Sequence, residues 1–389
     1  MAIDPATRAE ILKHVERLAR EKVAPRAAEI DRSNAFPRDL YGEAGRLGLF
    51  GLWVPEEYGG IGPDLVTPLL VCECLSRASL TFALNVSNCG DAVTPIVLGG
   101  TEAAKRKFLP DIASGAIIPA FALSEPGGGS DAAAITTRAV RDGDDYVISG
   151  RKMWCTNGSV ADVCTVFAKT DPQAGHKGVS AFVVPKGLRG FEVGQDEELM
   201  GLRGSPTSEL IFDEVRVPAA YRLGGEGEGF KLAMATLDEA RLNCSALAIG
   251  GAIAAFGQAV AYAKERRQFG KPIIEHQGLA FLLAEAASDI AAGRAIFREA
   301  IELLERGRSH EASTYAAMSK LVTSDMAMRV ATQAVQVLGG NGLSRKYPVE
   351  RIMRDVKAFQ IFDGTNEIQK MVIGRNLAKW DLPFDEFKL

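Results

Sequence analysis

The feature that most limits what this chain can become is the stretch Ser245–Ala263, which contains no charged residue. It is rich in Ala and Gly and runs straight into Lys264-Glu265-Arg266-Arg267. A helix that is apolar on every side must be surrounded, either by lipid or by other helices. Its length approaches the roughly 20 residues that a bilayer requires. Small side chains and the polar Gln258 suit close helix packing instead. The expectation is a helix buried in a large bundle, with no membrane span. Around it, from about 226 to 380, the sequence keeps long helical patterns with Ala-rich stripes.

The other end of the chain is also helical in pattern. Ile11, Val15, Leu18 and Ala19 recur at helical spacing, and Val23 extends the stripe. Breaks are expected at Phe36-Pro37 and at Tyr58-Gly59-Gly60-Ile61-Gly62-Pro63. Gly99-Gly100-Thr101-Glu102 reads as one helix ending and the next being capped. Near Ile118 the texture changes to short β-rich runs, among them Tyr146–Ser149, Val163–Phe167 and Val179–Val184, with Asp142-Gly143-Asp144 as a hairpin signal. The fold class expected is α+β, in three domains. These are an N-terminal helical domain (1–118), a middle β-barrel-like domain (119–225) and a C-terminal four-helix bundle (226–389).

Composition narrows the function classes. A chain of 389 residues with 47% hydrophobic and 24% charged residues has the balance of a soluble globular protein. Net charge is −4, and no long basic run suggests nucleic acid. The six cysteines, at 72, 74, 89, 155, 164 and 244, lack zinc-like pairing and read as free thiols in a reducing cytoplasm. No metal site is expected. The early acid in Met1-Ala2-Ile3-Asp4-Pro5 argues against a signal peptide.

Three motifs could carry cofactor chemistry. Phe121-Ala122-Leu123-Ser124-Glu125-Pro126-Gly127-Gly128-Gly129-Ser130-Asp131 is a Gly-rich loop that offers N–H groups and hydroxyls to a polar ring or anion. It lacks the Rossmann and P-loop spacings, and a strand-ending turn is the plainer reading. Gly150-Arg151-Lys152-Met153-Trp154-Cys155-Thr156-Asn157-Gly158 could stack a Trp on a flat ring, or bury it in a core. Glu265-Arg266-Arg267-Gln268-Phe269-Gly270, followed by Glu275-His276-Gln277, has arginines suited to a pyrophosphate, although such clusters are commonly solvated faces.

Two further clusters lie near the C-terminus, Gln336-Val337-Leu338-Gly339-Gly340-Asn341-Gly342 and Phe362-Asp363-Gly364-Thr365-Asn366-Glu367. In order and spacing the five motifs resemble the flavin-dependent acyl-CoA dehydrogenases, from about 35 to 375. The resemblance implies FAD between the β domain and the C-terminal helices. Leu123, Ser124 and Ser130 would line it, Trp154 would stack near its ring and Thr156 would bond near N5. Ile273 and Gln277 match further cofactor contacts, and Thr365 and Glu367 match contacts to the adenosine diphosphate end. Arg266, Phe269, Gln336 and Gly340 resemble residues that reach the cofactor from a neighbouring subunit, which implies a homo-oligomer, a tetramer built as a dimer of dimers. The substrate would be a CoA thioester, held by Ser130, Asp238, Arg241 and Gly364. Electrons would pass to an electron-transfer flavoprotein.

By the same resemblance Asp363 is the base that takes the α-proton, and here the chain departs from pattern. The usual residue at that place is glutamate. Aspartate retracts the carboxylate by about 1.5 Å, the length of one C–C bond. A shift of about 1 Å can cost on the order of 10²-fold in rate. A branched or ring α-carbon needs the space that the methylene vacates, so the expected substrate is an α-branched or alicyclic acyl-CoA such as cyclohexanecarboxyl-CoA. Asp91, in Asn88-Cys89-Gly90-Asp91-Ala92, aligns with an apolar residue of the acyl pocket in straight-chain enzymes. It reads equally as a second base, acting at ring carbons of a cyclohexenecarboxyl-CoA, or as a helix cap.

Two rivals share this frame. A nitroalkane-oxidising flavoprotein would also use an Asp base and would need no CoA, against the match at Asp238 and Arg241. A non-catalytic acyl-CoA-binding relative is opposed by the carboxylate kept at 363.

Overall fold

The computed structural model describes residues 3–62 and 64–378. Met1, Ala2, Pro63 and the last stretch expected in the third domain, 379–389, lie outside the described residues.

Six α-helices form the first region: α1 (Pro5–Leu18), α2 (Ala27–Ser33), α3 (Arg38–Arg46), α4 (Val66–Ser76), α5 (Leu80–Gly99) and α6 (Glu102–Ala113). The stripe read in the sequence faces inward, with Val15, Leu18, Ala19 and Val23 all buried. Side-chain oxygens set the helix starts where propensity alone is indifferent. Ser79 accepts from Phe82 N–H at 3.3 Å to open α5, and Thr101 accepts from Ala104 N–H at 3.2 Å to open α6. Inside α5, Pro95 has no N–H for the carbonyl of Asp91, one turn earlier. Asp91 therefore lies in the middle of a helix, which excludes the capping role left open for it.

The middle region is one eight-stranded sheet: β1 (Pro119–Ala122), β2 (Arg138–Asp142), β3 (Asp145–Thr156), β4 (Val163–Lys169), β5 (Val179–Pro185), β6 (Phe191–Asp196), β7 (Thr207–Pro218) and β8 (Arg222–Leu223). The order is β6-β7-β3-β2-β4-β5-β8, with β1 parallel to β4. Gly143, at φ +63°, turns β2 into β3 with Asp142 paired to Asp145. Alternation along β5 sends Phe182 and Val184 into the sheet's own core, and Ala181 and Val183 toward the helices. The sheet curls enough that Tyr146 of β3 packs on Phe182 of β5 at 4.9 Å, and Arg222 of β8 donates to Tyr146 Oη at 2.6 Å. Burying aromatic side chains like these stabilises a fold by about 1.5–3 kcal/mol each. On the helix side, Thr165 donates to the carbonyl of Ala92 at 2.8 Å, which seats α5 on the sheet.

The third region comprises α7 (Gly229–Glu265), the short strands β9 (Arg267–Gln268) and β10 (Lys271–Pro272), then α8 (Gln277–Glu305), α9 (Ser309–Leu338), α10 (Val349–Val356) and α11 (Asn366–Leu377). Helices α7, α8 and α9 form the body of a bundle, and α10 and α11 complete it against α9. Helix α7 is long and apolar enough to cross a bilayer, but 61% of its most apolar window is buried inside the protein. Its glycines explain the fit. A Cβ at Gly250 would sit 1.8 Å from Ser76 Oγ, and one at Gly251 would sit 3.0 Å from Leu80. The uncharged stretch is thus the helix against which α4 and α5 pack.

Candidate active site

Asp363 stands in the segment between α10 and α11 on a left-handed backbone, φ +55°, followed by Gly364 at φ +86°. That conformation is costly for a side chain bearing a Cβ, and it is held by its surroundings. Gln369 Nε2 donates to the carbonyls of Asp363 at 3.2 Å and Gly364 at 2.8 Å. Lys320 of α9, fully buried, donates at 2.9 Å both to the Gly364 carbonyl and to Asn366 Oδ1. Asn366 Nδ2 donates to Asp325 at 2.8 Å, and Thr365 caps α11 by accepting from Ile368 N–H at 3.3 Å. Among the described residues the N–H of Asp363 donates to no protein group, which leaves it for an oxygen of a ligand. Asp363 keeps some accessible surface, yet burial raises its carboxyl to about 6 against the opposing charges of Lys320 and Arg241.

Asp91 faces this loop from α5. Burial raises its carboxyl well above the ordinary range. The charges of Asp363 and Glu239 add to that, and a hydrogen bond with Asn243 opposes it. Arg241 of α7 is buried and ion-paired to Asp238, while its Nε is a buried donor with no partner among the described residues. Such a donor is expensive unless a ligand meets it. Asp238 also accepts from Ser313 at 2.9 Å. Asp363, Gly364, Thr365, Asp91, Asp238 and Arg241 therefore line one region, with Glu367 exposed at its outer edge.

The first two cofactor motifs meet beside it. Met153 N–H donates to the Ser124 carbonyl at 2.9 Å, and buried Lys152 donates to the Leu123 carbonyl at 3.0 Å and to Glu125 at 2.7 Å. Asn88, three residues before Asp91, donates to the Thr156 carbonyl at 3.3 Å. Leu123 is buried, Ser124 and Thr156 are half-buried, and Ser130 is exposed in the Gly-rich loop. Trp154 is not a core residue, because it is 56% exposed on a left-handed backbone, φ +61°. A flat apolar ring held out, more than half exposed, on a strained backbone fits a planar ligand such as a flavin, with Ser124 and Thr156 as polar neighbours.

The remaining cofactor candidates gather elsewhere. Arg266 ends α7, Phe269 tips the β9–β10 turn at φ +51° and 94% exposed, and Ile273 and Gln277 follow. Gln336 and Gly340 lie at the end of α9, next to this turn, where Asn341 donates to Tyr262 Oη at 2.8 Å and Arg266 N–H to the Tyr262 carbonyl at 2.9 Å. Arg266, Phe269, Gln336 and Gly340 are exposed in the single chain, and no hydrogen bond among the described residues ties them to the Trp154 or Asp363 groups.

Several contributors were not singled out from sequence: Lys320, Gln369, Asn243, Thr94 and Glu239, and the Lys152–Glu125 pair. Lys320 did leave a signal, as a lone cation in the run Ala316-Ala317-Met318-Ser319-Lys320-Leu321-Val322. All six cysteines are free.

Family models cover the chain in three parts. The acyl-CoA dehydrogenase N-terminal domain matches residues 5–116, the middle domain 120–215 and the C-terminal domain 227–378. A cyclohex-1-ene-1-carbonyl-CoA dehydrogenase of Syntrophus aciditrophicus is 43% identical over 371 residues, 94% of this chain and 89% of that protein. An acyl-CoA dehydrogenase of Bacillus subtilis is also 43% identical, over 94% of this chain and 96% of its own. The structure of butyryl-CoA dehydrogenase from Megasphaera elsdenii superposes with a TM-score of 0.93 at 40% identity, covering 97% of this chain and 99% of that one.

Proposed function

The chain belongs to the acyl-CoA dehydrogenase family, FAD-dependent oxidoreductases, and from that premise we propose that it oxidises an alicyclic acyl-CoA with Asp363 as the α-proton base. The observation that carries this reading is the aspartate itself, set on a left-handed backbone and raised by burial to about 6. A carboxyl near that value is ionised at neutral pH yet basic enough to accept a proton. The Asp363 N–H would bind the thioester carbonyl and acidify the α-hydrogen. Arg241, through its unpartnered Nε, would meet a polar atom of the CoA moiety, and Asp238 orients it. FAD, when bound, would supply the acceptor for the β-hydrogen as hydride. Leu123, Ser124, Ser130, Trp154, Thr156, Ile273, Gln277, Thr365 and Glu367 would hold it, with Arg266, Phe269, Gln336 and Gly340 supplied by a second subunit of a homotetramer. An electron-transfer flavoprotein is the proposed acceptor, and the cytoplasm the proposed location.

A second reading has its own support in Asp91. In a cyclohex-1-ene-1-carboxyl thioester the α-carbon carries no hydrogen. The acidic hydrogen lies at the γ-carbon, conjugated to the carbonyl and two bonds deeper in the pocket. Asp91, electrostatically in touch with Asp363 and without an ion-pair partner among the described residues, would be the base there. The relative from Syntrophus, named for that substrate, is in keeping with it.

The test is anaerobic flavin bleaching with cyclohexanecarboxyl-CoA, cyclohex-1-enecarboxyl-CoA, isobutyryl-CoA, butyryl-CoA and nitroethane. Selective bleaching by a cyclic ester is expected. Bleaching chiefly by butyryl-CoA would defeat the alicyclic assignment, and bleaching by nitroethane alone would defeat CoA. If Asp363→Glu improved straight-chain and cyclic substrates alike, the steric account of the short base would fail.

A further inference from the structure

Helices α5 and α7 run antiparallel, and their facing residues form a polar ladder of which the reaction above uses only Asp91. Asn243 stands opposite Asp91. One turn along, Thr94 Oγ1 donates to Glu239 Oε2 at 2.8 Å. Beyond that, a Cβ on Gly99 would touch Leu232 Cδ1 at 2.8 Å, which marks the outer end of the pair. From Thr94 onward the surface opens in that direction: Thr94 is 8% exposed and Leu98, one turn on, is 56% exposed. Glu239 itself keeps partial access and makes no ion pair among the described residues.

A carboxylate in this place is odd. It is largely surrounded by protein, its hydrogen-bond donor among the described residues is an alcohol, and the charges it interacts with include the acids Asp238 and Asp91. Burial raises its carboxyl, the Thr94 bond opposes that, and Asp238 adds to it. The other groups facing Asp91 and Asp363 are the cations Lys320 and Arg241 and the thiols Cys72, Cys89 and Cys244, which burial keeps protonated. None of these thiols, already protonated, can take a further proton. Among the described residues, the carboxylate on the outward side of Asp91 that could accept its proton is Glu239.

We propose that Glu239 is the proton outlet of Asp91, receiving across the Thr94 hydroxyl the proton that Asp91 takes from the substrate and releasing it at the outer end of the α5–α7 groove. This rests on the cyclohexene reading of Asp91. The substrate C–H bond breaks toward Asp91, whose new O–H then breaks as an O–H forms on Glu239. Water removes that proton, and both carboxylates are restored. Thr94, one turn from Asp91 on the same helix face, gives up its hydroxyl proton to Glu239 as it accepts the one from Asp91. The arrangement resets the deep base while product still fills the cleft.

The experiment is anaerobic rapid mixing of the FAD-loaded enzyme with cyclohex-1-enecarboxyl-CoA in weak buffer containing a pH indicator, following flavin bleaching and proton release together. In the wild type the two should coincide. In Glu239→Gln, proton release should lag bleaching by about tenfold or more. Thr94→Val should show the same lag and Thr94→Ser should abolish it. Cyclohexanecarboxyl-CoA, whose proton goes to Asp363, should show no lag in any variant. Coincident signals in Glu239→Gln, or an equal lag with both substrates, would overturn the outlet. A wild type bleached by the saturated ester and untouched by the unsaturated one would instead remove the reading of Asp91 on which the outlet depends.

Discussion

Glu125 and Asp363 are both acids that burial pushes toward protonation, and both lie near a buried lysine, yet they end on opposite sides of the ordinary carboxylate range. Burial works to raise Glu125, but Lys152 at 2.7 Å, the Thr136 hydroxyl at 2.7 Å and the N–H groups of Thr136 at 2.6 Å and Thr137 at 3.0 Å outweigh it and hold the acid at about 2. Asp363 has no such cage. Its lysine, Lys320, points its ammonium at the Gly364 carbonyl and Asn366 instead, so burial wins and the acid rises to about 6. The lesson concerns where the hydrogen bonds go. A lysine bonded to the carboxylate makes a structural clamp, which here shapes the Leu123–Glu125 turn. A lysine bonded to the backbone beside the carboxylate fixes the loop and leaves the acid reactive.

The sharpest way to break this contrast is to neutralise each acid. Asp363→Asn should slow flavin bleaching by a saturated substrate by about 10²–10⁴-fold, the usual worth of a general base. The same change should leave thermal stability equal or higher at pH 7, by about 1–3 kcal/mol, because a raised carboxyl costs stability once ionised. Stopped-flow absorbance and a thermal melt check the two halves. Lys152→Met should do the reverse, lowering stability by about 3–5 kcal/mol by stranding Glu125 in the interior. Urea melts read that loss.

The pH dependences should also run in opposite directions. For Glu125 the folded value lies below the unfolded one, so its contribution is present above about 4.5 and is lost as pH falls toward about 2. For Asp363 the folded value lies above the unfolded one, so its penalty is absent below 3.8 and complete above about 6. The rate with a saturated ring should therefore rise through about pH 6, and the rate with the cyclohexene ester should rise at higher pH, since Asp91 is raised well above its usual value. Asp91→Asn should leave the first profile in place, because Asp91, raised well above its usual value, carries little charge where Asp363 titrates. Two coincident profiles would show that one carboxyl serves both substrates. The smallest effect belongs to the loop's anchor. Thr365→Ala should cost about 1 kcal/mol through loss of the α11 cap, with kcat falling more than stability would suggest if the cap also sets the Asp363 backbone.

Much of the fold could be read in advance because its signals are local. Glycines and capping hydroxyls at 99–102 ended one helix and began the next, Gly143 turned a hairpin, and an uncharged run could only be a surrounded helix. The motif residues were equally visible, since each is a short contiguous string. The sequence alone thus determined a helical, β, helical chain of a flavin-dependent family, with an aspartate at 363. Tertiary structure decided what those residues experience. Asp91 read evenly as cap or base until α5 enclosed it, and Trp154 read as a stacking ring or a core residue until it stood exposed. Lys320, Thr94 and Glu239 carry no motif at all. A pKa depends on burial and on charges brought from distant positions, here 91, 239, 241, 320 and 363, and only the packed helices set those separations.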